Sequence, residues 1–415
     1  MGGRAFSDSP LCLKTPRMPP DLYRHMRDKC HAALRQRFLV VASPIESPEK
    51  YDYGDVDIFV TWDVIGTPLG GFEDITQLLG ATHAKTKGLV NTSAQFAVPW
   101  PIHLDETNEQ APEPEYRHVQ IDLHVCDTLE DFHWGLFFYA HGDLFSMLRV
   151  MMRPYNLTVT VKGLYLQIRE MVHNKPKVLI TKDPEKALRL LGYDPDGQEW
   201  EREFSSLDEL FVYTTKCRFF RGFQGTNFEW SDQQILAFRP IFRAWIRDFV
   251  PTCKSRCWGT TMSAEAVRDE ALEKFPSARM EYHELIIKHE KQKDLFTRVI
   301  KPNVPANDYG LLWRAIAARA LREIIMNEDY SLEIKPAKPL KSCDGLCIET
   351  EVEAFVSDTW QQVGEAAWER HYGDNGRYDQ ALDKAVRLEC EEDEEECDNI
   401  CPQEIFEVCY EEVEW

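Results

Sequence analysis

The sequence predicts an α+β protein, in which a mixed sheet with flanking helices is followed by a mainly helical domain and an acidic tail. Apolar, alternating runs typical of strands recur within residues 38–125, and helical spacing prevails from about residue 183. Residues 388–415 contain 13 Asp or Glu and no Lys or Arg. The expected parts are an irregular segment (1–19), the α+β domain (20–182), a helical domain (183–330), and a linker, helix and disordered acidic tail (331–415).

Composition limits the class of protein. At 415 residues the chain is too long for one hydrophobic core, which stops growing at roughly 250 residues. Its net charge of −22 disfavours long duplex DNA as a partner, since such binding depends on neutralising phosphates. The sequence has no apolar run of about 18 residues and no signal-peptide pattern near its start. We therefore expect no membrane partner and an intracellular location, cytoplasmic or nuclear.

The elements of the α+β domain follow from local patterns. Prolines at 19 and 20 precede an amphipathic helix, because Pro suits the first helical turn. Further on, the chain alternates between strand patterns and a short helical one. Strands are predicted at 38–43, 55–62, 93–100 and 117–125, a helix at 72–80, an exposed loop at 101–115, a helix at 142–155, and two strands around Gly163.

Three aspartates stand out on two of these strands. Asp55 and Asp57 are two residues apart, so their side chains project from one face of the strand while Val56 and Ile58 project from the other. Asp122 occupies the polar face of the strand at 117–125, together with Gln120 and His124. If the two strands are neighbours, the three carboxylates converge.

Converging carboxylates call for a cation, because like charges held close together repel one another. Hard oxygen ligands suit Mg²⁺ or Mn²⁺, and two ions about 4 Å apart can stabilise the attacking and leaving oxygens in phosphoryl chemistry. The pattern favours two such ions held by Asp55, Asp57 and Asp122. Asp122 would also orient or deprotonate an acceptor hydroxyl.

A helix, a strand, a Ser-containing loop, the motif Gly54-Asp55-Val56-Asp57-Ile58 and a later apolar-Asp-apolar triplet around Asp122 together resemble the nucleotidyltransferases of the DNA polymerase beta superfamily. The resemblance covers roughly residues 20–165. It implies a nucleotidyltransferase-like domain at 20–182, with the three aspartates as metal ligands. It also implies that a hydroxyl attacks the α-phosphate of a nucleoside triphosphate and that pyrophosphate leaves.

The chain departs from that family at one loop. Members have Gly-Ser shortly before the paired acids, and its backbone and hydroxyl hold the triphosphate; here Ala42-Ser43-Pro44 occupies the place. Ser43 keeps the hydroxyl, while Gly2-Gly3 is an alternative source of close backbone approach. The candidate nucleotide-binding residues are Ser43, Gly54 and Lys162. Other cations that could contact phosphate oxygens are Lys85, Lys87, Arg149 and Arg153.

Alternatives remain open from the residues alone. The fold could serve as a catalytically inactive interaction module, with the altered loop as the trace of lost triphosphate binding. A metal-dependent phosphohydrolase could use mixed ligands, namely His118, His124, His133 and His141 with the aspartates. A weak zinc pattern is formed by three pairs of cysteines, each four residues apart: Cys253 and Cys257, Cys343 and Cys347, and Cys397 and Cys401. For a transferase, the acceptor could be a small molecule, a protein hydroxyl or a short RNA end.

Overall fold

The computed structural model describes residues 3–7, 12–64, 72–86, 93–101, 117–169, 171, 176–220, 236–253, 262–305, 310–342 and 345–372. The chain forms two compact units, Met1–Tyr282 and His283–Trp415. Several expectations lie outside the described residues: those for Gly2, Lys87, most of the loop at 101–115 and the acidic tail. At least one cysteine of each predicted pair also lies outside the described residues.

The first unit contains a five-stranded mixed sheet together with helices, which is compatible with the predicted α+β class. Its strand order is β1-β2-β5-β4-β3, with β2 and β5 parallel and the other neighbours antiparallel. The strands are β1 (Phe38–Ala42), β2 (Asp55–Asp63), β3 (His83–Thr86), β4 (Ser93–Pro99) and β5 (His118–Val125). The four strands predicted in this region therefore form, and β3 is an additional one.

A hydrophobic core fills one face of this sheet. Val56, Ile58 and Val60 of β2 are fully buried, as their alternation predicts. Two helices belong to the same core, α1 (Pro20–Leu34) and α2 (Glu73–Leu79). Helix α1 presents Leu22, Met26, Cys30 and Leu34, whose four-residue spacing makes one apolar stripe. Asp55, Asp57 and Asp122 project from the opposite face of the sheet.

After β5 the chain forms two helices, α3 (Leu129–Tyr139) and α4 (Leu144–Met152), and α3 contacts β2. A second sheet then forms, with antiparallel strands in the order β6-β7-β8. Its strands are β6 (Leu157–Thr160), β7 (Gly163–Gln167) and β8 (Lys177–Thr181). Helices α5 (Pro184–Leu190) and α6 (Leu207–Thr214) pack near α3 and α4, so the helical region expected from residue 183 begins inside the first unit.

The later helices are Pro240–Ala244, Ala264–Lys274, Pro276–Leu295, Gly310–Asn327 and Glu349–Tyr372. In the second unit the last two pack closely around Gly364, where a Cβ would lie 2.3 Å from the Trp313 ring. Leu321, Val356 and Val363 are fully buried in its core. No helix in the described part of the chain has the length and apolar composition needed to cross a membrane.

Candidate functional site

The three aspartates meet on the polar face of the five-stranded sheet. β2 and β5 are parallel neighbours, and their register sets Asp57 directly opposite Asp122 and Asp55 opposite Gln120. Neighbouring strands lie about 4.8 Å apart, and residues two apart on a strand are separated by roughly 6.6 Å. Asp57 is therefore the central member, adjacent to Asp55 along its own strand and to Asp122 across the sheet.

Two amides hold the Asp122 carboxylate. Gln120 donates from Nε2 to Oδ1 at 2.7 Å, and Gln95 donates from Nε2 to Oδ2 at 3.1 Å. Gln95 lies opposite Asp122 in the antiparallel pairing of β4 with β5, while Gln120 is two residues back on β5. Each carboxylate oxygen thus has a fixed donor, which sets the plane of the Asp122 carboxylate.

His124 contacts the central acid. Its Nε2 lies 3.2 Å from Asp57 Oδ1, and its ring stacks on Phe59 with centroids 4.4 Å apart and an interplanar angle of 14°. The Tyr139 ring of α3 lies 5.1 Å from the His124 ring. Burial and the charges of the three aspartates raise the pKa of the Tyr139 hydroxyl. The face therefore carries an imidazole and a phenol beside the carboxylates.

Charge repulsion marks this cluster. Burial, and then the neighbouring Asp57 and Asp122, raise the pKa of Asp55 from 3.8 to about 7. Burial and the Asp57 charge likewise raise the pKa of Asp122, against the lowering effect of its two amide donors. Lys50 is a nearby cation that acts in the other direction on Asp55. With a pKa of about 7, Asp55 is only partly ionised at neutral pH, and added positive charge would favour its ionised form.

The donor set suits a hard divalent cation in kind, since all three groups are carboxylates. As the side chains stand, however, no group of three or more His, Cys, Asp or Glu in the described residues is arranged to hold one metal ion. In this arrangement both oxygens of Asp122 accept hydrogen bonds from amides, and Oδ1 of Asp57 lies 3.2 Å from the His124 imidazole.

The candidate nucleotide-binding residues have different positions. Ser43 follows β1, which pairs with β2, and its hydroxyl lies 2.9 Å from His31 Nε2. Burial lowers the pKa of that histidine to about 4, so its ring is neutral at physiological pH. Gly54 directly precedes the acids. Lys162 lies at the turn between β6 and β7 in the second sheet, near Asp131 and Cys126.

The N-terminal segment, residues 3–7, adjoins the acids. Gly3 has a φ of +86°, and a Cβ at this position would lie 2.5 Å from the Gly54 carbonyl oxygen. Only glycine fits such an approach. Lys85, one of the candidate cations, donates from Nζ to the Ala5 carbonyl at 2.6 Å. Gly3, one of the two glycines considered as a substitute for the family's Gly-Ser, therefore packs against Gly54 at the start of the motif.

The loop between β1 and β2 also carries charge beside the acids. Lys50 Nζ lies 2.6 Å from Glu46 Oε2 and 4.4 Å from the centroid of the Tyr53 ring. The side chain is 31% exposed, and its charge lowers the pKa of Asp55. Sequence reasoning missed Lys50 because only its loop position relates it to the acids, and that loop has no periodic pattern.

The four histidines considered for a phosphohydrolase do not form one cluster with the acids. His118 and His124 both lie on β5, at opposite ends. His133 is exposed on α3. His141 is fully buried; its backbone N–H donates to the Ile45 carbonyl at 2.7 Å, and its Nε2 lies 2.6 Å from the Trp200 carbonyl. Of the four, His124 contacts an aspartate, Asp57.

Gly135 of α3 lets Phe59 approach and thereby support His124. A Cβ at this position would lie 2.4 Å from Phe59 Cε1, and Phe59 is 3% exposed. We expect Gly135→Ala to destabilise the protein by about 1–2 kcal/mol, because an overpacking cost of about 1–3 kcal/mol exceeds the helix-propensity gain of up to about 1 kcal/mol. Urea unfolding measures the difference. His133→Ala, on the exposed side of the same helix, is the control and should change stability by less than about 0.5 kcal/mol. Equal stability of Gly135→Ala and wild type would contradict the prediction.

Comparison with known proteins adds no further assignment to this geometry. No protein-family model matches the chain, and no curated protein sequence matches it either.

Proposed function

We propose that this protein is a Mg²⁺-dependent nucleotidyltransferase that moves a nucleoside monophosphate from a nucleoside triphosphate to an acceptor hydroxyl. One observation carries the proposal: Asp57 and Asp122 are in register on adjacent parallel strands, with Asp55 on the same strand face. The mixed sheet order and the buried opposite face are compatible with the nucleotidyltransferase fold that the motifs resemble.

The roles of the acids follow from their positions. Asp57, the central member, would hold the metal together with Asp55 on its own strand and Asp122 on the neighbouring one. When bound, the ions supply positive charge to the attacking oxygen, the leaving oxygen and the phosphates. That charge would also offset the repulsion that raises the pKa of Asp55.

The proposed reaction is a single displacement at phosphorus. The acceptor oxygen bonds to the α-phosphorus, the bond from this phosphorus to the β-phosphate oxygen breaks, and pyrophosphate leaves. The acceptor proton passes to a base, and Asp122 is the carboxylate we propose for it. Lys50 and Ser43 are candidates for contacts with the phosphate oxygens, Lys50 through its charge and Ser43 through its hydroxyl.

A second candidate is a catalytically inactive module with the same fold. It is favoured by the engaged state of the acids, since Asp122 is held by Gln95 and Gln120 and Asp57 by His124. The missing Gly-Ser before the acids points the same way. The raised pKa of Asp55 weighs against it, because carboxyl groups with strongly shifted pKa values occur more often at functional sites than elsewhere.

Calorimetric titration distinguishes the two candidates. Each of the four ribonucleoside triphosphates is titrated into the full chain with Mg²⁺, and again with EDTA in place of Mg²⁺. We expect binding of at least one triphosphate only with Mg²⁺, followed by pyrophosphate release when mixtures of small alcohols, peptides or short RNAs are added. Binding of none of the triphosphates would overturn the transferase proposal and favour the inactive module.

A further inference from the structure

The backbone of residue 5 is hydrogen-bonded to the carboxylate cluster through one side chain. The Ala5 N–H donates to Gln120 Oε1 at 2.9 Å, across 115 residues of sequence. Gln120 in turn donates from Nε2 to Asp122 Oδ1 at 2.7 Å. Gln120 is 2% exposed, so water does not compete for these bonds. The N-terminal segment is thereby connected to the third aspartate.

This connection determines which way the Gln120 amide faces. A glutamine side chain has an acceptor on one side and two donors on the other, and the two orientations have nearly the same shape. Because Ala5 N–H can only donate, the oxygen must face Ala5 and the NH₂ must face Asp122. In the reversed orientation, the Gln120 NH₂ would face the Ala5 N–H, donor against donor, and the Gln120 oxygen would face the Asp122 carboxylate, acceptor against acceptor.

The Ala5 peptide is itself held firmly. Its carbonyl accepts from Lys85 Nζ at 2.6 Å, and Phe6 beside it is fully buried, with Lys85 Nζ 5.4 Å from the centroid of its ring. The Phe6 carbonyl accepts from the Leu13 N–H at 2.8 Å. Gly3 packs on Gly54, as described above. The N–H that orients Gln120 therefore has a fixed position relative to both site strands.

We propose that Gln120 is a positioning residue of the site, and that the Ala5 N–H sets its orientation so that the Asp122 carboxylate is presented for metal binding. The inference rests on the proposed function. A group that holds a metal ligand from behind in this way commonly changes metal affinity or activity by about 10–100-fold when removed. In this reading the N-terminal segment belongs to the site, and Gln95 supplies the matching donor on the other Asp122 oxygen.

A purely structural tie would behave differently. If the segment only covers the sheet, loss of one hydrogen bond lowers the midpoint of unfolding and leaves metal affinity unchanged. If it orients Asp122, metal affinity falls while affinity for a triphosphate at saturating metal changes little. The separation of these two quantities is the readout.

Ala5→Pro removes the N–H and keeps the segment. Ala5 is the second residue of a turn closed by the Ser7 N–H to the Arg4 carbonyl at 3.2 Å, a position where proline is favoured. Ala5→Ser is the matched variant, since it changes the side chain and retains the N–H. Gln120→Met removes the amide at similar volume. It tests the same contact to Asp122 if the proline variant does not fold.

The experiment is titration of Mn²⁺ alone into the full chain, followed by triphosphate titration at saturating metal. We expect Ala5→Pro and Gln120→Met each to weaken Mn²⁺ binding by about 10–100-fold, Ala5→Ser to bind as wild type does, and the double variant to lose no more than either single one. Wild-type metal affinity in Ala5→Pro and Gln120→Met overturns the inference alone. A wild type that binds no metal overturns the proposed function, and this inference with it.

Discussion

We expect Asp57→Asn and Asp122→Asn each to lower the rate of the proposed nucleotidyl transfer by about 10³-fold or more, equivalent to roughly 4 kcal/mol of transition-state stabilisation. The amide has the shape of the carboxylate and lacks its charge, so it cannot hold a divalent cation in competition with water. The larger loss is expected for Asp57, because it lies between the other two acids. Both variants should fold, since each relieves repulsion within the cluster.

Pyrophosphate release with the best-bound triphosphate measures this effect, after calorimetry has identified that triphosphate. Asp127→Asn is the matched control: the same change of charge just beyond β5, at an exposed position. It should retain wild-type rates. A rate for Asp57→Asn within about threefold of wild type would remove the aspartates from the mechanism and leave the inactive module as the better account.

The second large effect is a linkage between pH and metal. The raised pKa of Asp55 means that, between about pH 4 and pH 7, the folded protein keeps a proton that the unfolded chain releases. Stability of the metal-free protein therefore falls across this window through Asp55, and its contribution levels off above about pH 7. If Mg²⁺ binds as proposed, it competes with that proton, so the stabilisation it gives should grow as the pH rises toward and past 7.

Thermal unfolding across this pH range, with and without Mg²⁺ and the best-bound triphosphate, tests the linkage. At a hundred times the dissociation constant we expect about 2.7 kcal/mol of stabilisation above pH 7, and little at about pH 5. In Asp55→Asn the stabilisation by metal should vanish. Without metal, the stability of this variant relative to wild type should increase as the pH rises from about 5 to 7. A metal effect of equal size at both ends of the range would contradict a site whose ligands must lose protons.

Much of this site could be predicted from alternation along single strands. A period of two determines that Asp55 and Asp57 share a face, and that Gln120, Asp122 and His124 share another, wherever the strands are. That β2 and β5 are neighbours depends on the pairing of the whole sheet, with β4 and β3 on the far side of β5. The register of Asp57 with Asp122 is thus a property of tertiary structure, and the sequence could only pose it as a condition.

Helix α3 was not predicted for a related reason. Its apolar run is short and aromatic, and such a run fits a buried strand as well as a buried helix. What decides is its surroundings: Thr128 caps the helix by accepting from the Asp131 N–H, and Gly135 makes room for Phe59. Gln95 and Lys50 escaped notice because their roles depend on neighbours from other strands and loops.

The hydrogen bond from Ala5 to Gln120 also has a consequence for how the molecule assembles. Residues 3–7 are synthesised before every strand of the sheet they lie against, yet their partner on β5 follows 115 residues later. Contacts so distant in sequence require closure of a long loop and form slowly. The cluster of acids is therefore complete only once β5 has joined the sheet, and nascent chains that end before β5 lack it.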